Sequence, residues 1–315
     1  MSKSFIFLLS IILVPWLMAC APERPLVVSI HPWIGYETLY LAHEFGWLPS
    51  GVRLHKVQNA GDSLTALQAG EVDAACLTLD EVLRARAAEV QLTIGLVFDV
   101  SAGADVVLVR SGIERLADLA GKRIGVERNA LGALVLSKLL EATGLPASAV
   151  TTIDLPPDQQ LAAWQRSDVD AVISYEPTAT RLQHEGAQRL FDSRQIPDTI
   201  FDVLAVKNDR IAGQYASLKA LVESHFRGLR HIQSNHQDAL YRIAAHEGVS
   251  FDEVHRELAS ITQPSLVANQ GYLTAPHTLL HQAARTISSL MVKQGLIAHE
   301  IPLDGLITSA WLPSE

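Results

Sequence analysis

Short apolar runs alternate with longer amphipathic stretches through the first two thirds of the chain, and that rhythm predicts strands alternating with helices. Leu26-Val-Val-Ser-Ile30 reads as a strand, broken by His31-Pro-Trp-Ile-Gly35. A helix follows over residues 36–47, with Leu39, Tyr40 and His43 along one side. Residues 52–57 alternate as a second strand, and the turn Asn59-Ala-Gly-Asp-Ser63 offers Asp62 or Ser63 as the cap of the next helix. A third strand over residues 72–77 leads to a helix beginning at Asp80. This βαβαβα order predicts a parallel sheet covered by helices.

After a strand over residues 92–98 comes the polar segment 99–105, which contains a glycine, and then a strand over 106–110. A first crossing between two lobes is expected there. The pattern restarts at residues 121–127. It continues through a helix at 131–143, a strand at 150–155, a helix at 158–166, a strand at 169–174 and a helix at 176–185. Residues 200–206 suit a return crossing. Beyond Asp209, helical patterns over 214–246, 251–260 and 276–294 are expected to pack on the first lobe as a C-terminal extension.

Part of the first half is written twice. Leu64-Thr-Ala-Leu-Gln-Ala-Gly-Glu-Val-Asp-Ala74 is echoed by Leu161-Ala-Ala-Trp-Gln-Arg-Ser-Asp-Val-Asp-Ala171, at an offset of 97 residues. The same offset, without a gap, carries Gly35 onto Gly132, Leu39 onto Leu136, Glu44 onto Glu141 and Leu48 onto Leu145. The expectation is two related α/β lobes facing each other across a cleft. Residues 26–100 with 205–315 would form lobe I, and residues 101–204 lobe II.

With 315 residues, 48% of them apolar, the chain is long enough for two medium lobes with a real core. The net charge of −9 and the lack of a basic stripe argue against a nucleic-acid partner. The start is a leader: Lys3, an apolar stretch over residues 5–18, then Leu17-Met-Ala-Cys20. This end resembles the bacterial lipobox, which implies cleavage after residue 19, a diacylglycerol on Cys20 and a short tether over residues 20–25. Such a lipid would anchor the protein to a membrane. Ala21 leaves inner against outer membrane open. Cys76 lies in an apolar run and reads as a small core residue, so no disulfide is expected.

In open parallel α/β sheets, ligands gather at the carboxyl ends of strands, against helix N-termini. The loops so placed contain Trp33, Tyr36 and Tyr175 as flat apolar faces, and Thr78, Ser101 and Asn129 as neutral hydrogen-bonding groups. Glu37, Asp80, Asp99 and Glu176 are candidate acceptors or counter-ions, each of which could equally serve as a helix cap. Gly35 and Gly132 would let backbone approach a ligand. Basic residues are scarce there, Arg128 being the main exception, which leans towards a cationic or neutral nitrogenous ligand over a bare anion. The pair His277 and His281, and the His-Glu pairs at 43–44, 184–185 and 246–247, fall short of a metal motif. No cofactor is expected, and there is neither a nucleophile elbow nor a phosphate loop.

The run from Val28 to Leu48 resembles the start of the nitrate/sulfonate/taurine and thiamine-pyrimidine (NMT1-like, SsuA-like) solute-binding proteins of ABC importers. Ala66-Leu-Gln-Ala-Gly-Glu-Val-Asp-Ala74, Leu116-Ala-Asp-Leu-Ala-Gly-Lys-Arg-Ile-Gly-Val126 and Tyr175-Glu-Pro177 resemble the same family. The resemblance implies a two-lobed type II periplasmic binding protein fold with two crossing strands, closing around one small polar organic solute of nitrogenous or sulfonate type. It also implies a monomeric, extracytoplasmic protein that is not an enzyme and works with a permease and an ATPase. Trp33, Gly35, Tyr36, Thr78, Asp80, Asn129, Gly132, Tyr175 and Glu176 match the family's pocket loops. The alternatives are a ligand-sensing partner of a membrane receptor, and a biosynthetic enzyme on the same scaffold. Thiamine-pyrimidine synthases carry a cysteine-rich motif that this chain lacks.

Overall fold

β1 (Leu26–Ile30) is buried along its whole length, the signature of a parallel strand covered on both faces. The computed structural model describes residues 24–128, 131–274 and 278–314, so the leader, Cys20 and Asn129 lie outside the described residues. From β1 the chain passes through one turn of 3-10 helix, Ile34–Tyr36, into α1 (Glu37–Glu44). β2 (Val52–Lys56), α2 (Ala60–Ala69), β3 (Ala74–Thr78), α3 (Leu79–Ala87) and β4 (Leu92–Ser101) follow. The cap of α2 is Asn59, whose side chain accepts from the Asp62 N–H at 2.9 Å, rather than Asp62 or Ser63. β4 runs on through Ser101 because it pairs with a later strand, so Asp99 and Ser101 sit on a strand and not in a loop.

The second half repeats the order: β5 (Val106–Val109), β6 (Arg123–Val126), α4 (Leu131–Thr143), β7 (Thr151–Asp154), α5 (Pro157–Gln165), β8 (Ala171–Ser174), α6 (Thr178–His184), β9 (Gln188–Asp192) and β10 (Phe201–Lys207). β9 has no sequence signal. It is a largely polar edge strand made a strand by antiparallel pairing with β5. The tail is helical: α7 (Asn208–Ser234), α8 (His236–Glu247), α9 (Phe251–Leu258), the two-residue strand β11 (Ile261–Thr262), α10 (Leu266–Leu273) and α11 (Leu279–Lys293). It lies on the first sheet. α7 approaches α1 closely, so that a Cβ on Gly228 would stand 2.3 Å from the Thr38 carbonyl oxygen.

Strand order is β11-β4-β10-β3-β1-β2 in one sheet and β7-β6-β8-β5-β9 in the other. Apart from β11 the two orders are the same arrangement, with an antiparallel strand (β10 or β5) fourth from the outer parallel edge. Each antiparallel strand comes from the chain just after it leaves the other sheet, which makes two crossings. The duplication is therefore real at the level of elements, but the gapless offset is corrected. Val28 pairs with Leu54 and Ala74, whereas Ile124 pairs with Thr152 and Ala171. By these pairings the offset is 96 at the first strand, 98 at the second and 97 at the third. Loops between the strands absorb the slips, so the buried faces stay in phase.

Candidate functional site

The carboxyl ends of β1 and β3 face those of β6 and β8, and between them lies a narrow, almost filled cavity of about 10 Å³. His31, Trp33, Ala60, Thr78, Glu81 and Asp202 wall it from the first sheet's side; Asp105, Leu131 and Tyr175 wall it from the second. Its aromatic wall is a chain of edge-on rings. Trp33 stands 5.7 Å from Tyr175 at 81°, and His31 stands 6.3 Å from Tyr175 and 5.3 Å from Tyr36.

Two carboxylates on neighbouring strands hold this wall. Asp99 and Asp202 are cross-strand partners in the β4–β10 pair. Trp33 Nε1 donates to Asp99 Oδ2 at 3.0 Å, and Tyr36 Oη donates to Asp202 Oδ1 at 2.6 Å. Gly35 makes this arrangement fit, since a Cβ there would lie 1.7 Å from Asp99 Oδ2 and 2.6 Å from Trp33 Nε1. Gly132 serves packing instead. Its missing Cβ lets α4 lie close to the end of β6, where an added Cβ would stand 2.8 Å from the Glu127 carbonyl oxygen, so it packs its own lobe and does not line the cavity.

Direct bonds join the two sides. Thr78 and Glu81 form the capping box of α3, and Glu81 also reaches across. The Thr78 N–H donates to Glu81 Oε2 at 2.8 Å and the Leu131 N–H, at the start of α4, donates to Oε1 at 3.1 Å. In the opposite sense, the Gly61 N–H of α2 donates to Glu127 Oε1 at 2.9 Å, and Asn59 Nδ2 donates to Asp158 Oδ1 at 2.9 Å. Further from the cavity, Arg181 donates to the Glu247 carbonyl at 2.7 Å and His184 pairs with Glu253 at 2.6 Å. The two lobes are closed on each other.

Burial dominates the electrostatics. It pushes Glu81 up to about 8, helped by Asp80, and Asp105 up to about 7, helped by Asp80 and Glu176. Asp99 and Asp202 are raised well above the ordinary range by burial and then by neighbouring acids, Asp105 for Asp99 and Asp99 for Asp202. Burial lowers His31 to about 3, so its ring is neutral. No Lys or Arg is among the described residues that line the cavity.

Of the residues singled out from sequence, Trp33, Thr78 and Tyr175 line the cavity, while Tyr36, Gly35 and Asp99 stand directly behind its wall. Asp80 accepts from Thr78 Oγ1 at 2.8 Å, and Ser101 Oγ lies 2.8 Å from Ser193 Oγ; both are supporting bonds. Glu37 faces elsewhere: it meets His246 Nδ1 at 2.8 Å in an outer groove shared with Tyr40 and Lys56. Glu176 turns back to accept from the Thr180 N–H at 2.9 Å, on the side where it faces Glu257. Sequence reasoning missed Glu81, Asp105 and Asp202, and did not single out His31, Ala60 and Leu131 within the strand-end loops it pointed to. Two signals were present: the Thr78-x-x-Glu81 capping pattern, and single acids at Asp105 and Asp202 set against or within apolar strands.

A family model described as NMT1/THI5 like matches residues 35–239. The chain belongs to the NMT1/THI5-like family. This NMT1/THI5-like protein is 26% identical over 172 residues to the taurine-binding periplasmic protein of Escherichia coli (strain K12). That match covers 54% of the chain and 53% of the relative, so the chain spans about half the length of the curated protein it matches. Among solved structures, the alkanesulfonate-binding protein SsuA from Xanthomonas axonopodis pv. citri bound to MOPS is similar at a TM-score of 0.72 and 20% identity, over 91% of this chain and 97% of that one. The desulfurization enzyme DSZB is similar at 0.63 and 20% identity, over 91% and 97%. At such identities the likeness is one of fold. That fold is the two-lobed type II periplasmic binding protein fold, which binding proteins and an enzyme share.

Proposed function

We propose that this NMT1/THI5-like protein is the extracytoplasmic solute receptor of an ABC importer, capturing one small polar organic solute between its lobes and passing it to a permease driven by an ATPase. The observation that carries this reading is the cavity whose walls come from both sheets, so that only the closed state surrounds a solute. A solute touching both walls stabilises closure by its differential contacts, and no reaction is needed. The likeness to taurine- and alkanesulfonate-binding proteins supports the receptor reading over an enzymatic one. So does Cys76, the one cysteine among the described residues: it is fully buried in β3, and burial pushes its thiol up, the reverse of an activated nucleophile. Cys20 carries the lipid that holds the receptor at the membrane; no helix among the described residues is long and apolar enough to cross one.

The experiment has two arms. The protein purified from its native membrane is denatured and the released small molecules are identified by mass spectrometry; a single organic solute at near-equimolar amount is expected, and turnover of that solute by the protein would overturn the reading. Cys20→Ala is expected to move the protein from the membrane to the soluble fraction, and unchanged fractionation would remove the lipid anchor.

A further inference from the structure

We infer that the interlobe cavity takes a small organic cation, a protonated amine, amidinium or guanidinium, and turns away a sulfonate head. This rests on the receptor reading above and names its ligand class.

Helix N-termini at a cleft are ordinarily where an anion binds, because their N–H groups are free. Here three such donors are taken by the protein's own carboxylates. The Gly61 N–H at α2 is held by Glu127, and the Thr78 N–H at α3 and the Leu131 N–H at α4 are held by the two oxygens of Glu81. The groups left without partners are acceptors. Asp105 and Asp202 line the cavity at 2% and 3% exposure, and each keeps one carboxylate oxygen, Oδ2, without a hydrogen-bond partner. Nδ1 of the equally enclosed His31 is also without one.

The acids share the cavity with aromatic rings. Trp33 and Tyr175 provide ring surface on which a cation is attracted by the ring quadrupole. A protonated nitrogen placed among Asp105, Asp202 and these rings would donate to the two orphan oxygens and supply the counter-charge the cavity lacks. It would also relieve the repulsion that helps hold Asp202 and Glu81 above their ordinary values. A sulfonate in the same place would find the Gly61, Thr78 and Leu131 N–H groups already taken and no Lys or Arg among the described residues lining the cavity, so it would lack both donors and counter-charge. A bare metal ion fits less well, since among the described residues no three His, Cys, Asp or Glu side chains are grouped to hold one.

The test is calorimetry of the full mature protein, stripped of bound solute, at one fixed ionic strength. Propylamine, acetamidine and choline hydrochlorides are compared with propane-1-sulfonate, propan-1-ol and taurine. The expected result is saturable binding of at least one cation, at least tenfold tighter than any sulfonate or the alcohol. Asp105→Asn and Asp202→Asn are each expected to weaken that binding at least tenfold, while Asp118→Asn, on the surface, leaves it unchanged. Should Asp202→Asn fail to fold, Asp105→Asn and the wild-type comparison decide. Propane-1-sulfonate or taurine binding more tightly than the cations overturns the inference and leaves the receptor reading standing; binding in neither arm overturns both.

Discussion

Trp33 is the residue on which the cleft turns. Its backbone lies just after β1, its ring meets Tyr175 edge-on across the lobes, and its Nε1 is fixed by Asp99 on β4, three strands away in the sheet. One side chain therefore ties the aromatic wall to the sheet and meets a ring of the second lobe. Trp33→Ala and Tyr175→Ala are each expected to weaken solute binding by about 1 kcal/mol or more, the worth of an aromatic contact beyond its area. Calorimetry with the identified solute checks this, and wild-type affinity would take either ring out of the site. That aromatic residues in these loops line the cavity was legible from their position after predicted strands. That Glu37 and Glu176 serve outer contacts was not, because a carboxylate in or just before a first helical turn looks the same whether it faces a ligand or a neighbouring helix.

At the scale of elements, the strength of the framework lies where backbones approach without side chains between them. α7 crosses α1 so closely that a methyl at Gly228 would press on the Thr38 carbonyl, and Thr38 Oγ1 lies 2.8 Å from His225 Nδ1 beside it. Gly228→Ala gains roughly 1 kcal/mol of helix propensity. It forces two helix backbones apart, and overpacking of this kind costs about 1–3 kcal/mol. The net expectation is destabilisation, read as a lower denaturant midpoint at unchanged slope; a raised midpoint would show that α7 can shift freely on α1. The sequence pattern carried the existence of most helices and parallel strands. It missed β9 and the last residues of β4, whose strand state comes from pairing with β5 and β10 rather than from their own alternation.

The whole molecule gathers buried acids where its lobes meet. Burial raises Glu81 to about 8 and Asp105, Glu127 and Glu176 to about 7. A carboxyl whose folded pKa lies above its unfolded value holds its proton more tightly when folded. Its contribution is therefore lost as pH rises through the folded value and grows as pH falls towards the unfolded one near ~4. His31 and His225, lowered by burial to about 3, act in the opposite sense, costing stability as pH falls below their unfolded value of ~6.5. From pH 8.5 down to about pH 7.5 the carboxyls act alone among these groups. The unfolding temperature should rise on that descent by roughly 2–4 °C for each kcal/mol gained, then flatten as the histidines begin to oppose. A falling Tm over the same range would mean that these acids are ionised in the folded protein.

By itself the sequence determined the alternating elements, the duplicated lobe and the family, because periodicity, caps and repeats are written in residues close together along the chain. Only the tertiary structure decided which acids face the cavity. Asp99 and Asp202 become neighbours through β4–β10 pairing, and Glu81 finds the Leu131 N–H across the closed lobes. Both are long-range contacts, and no local pattern records which face of a crossing strand will meet the other lobe.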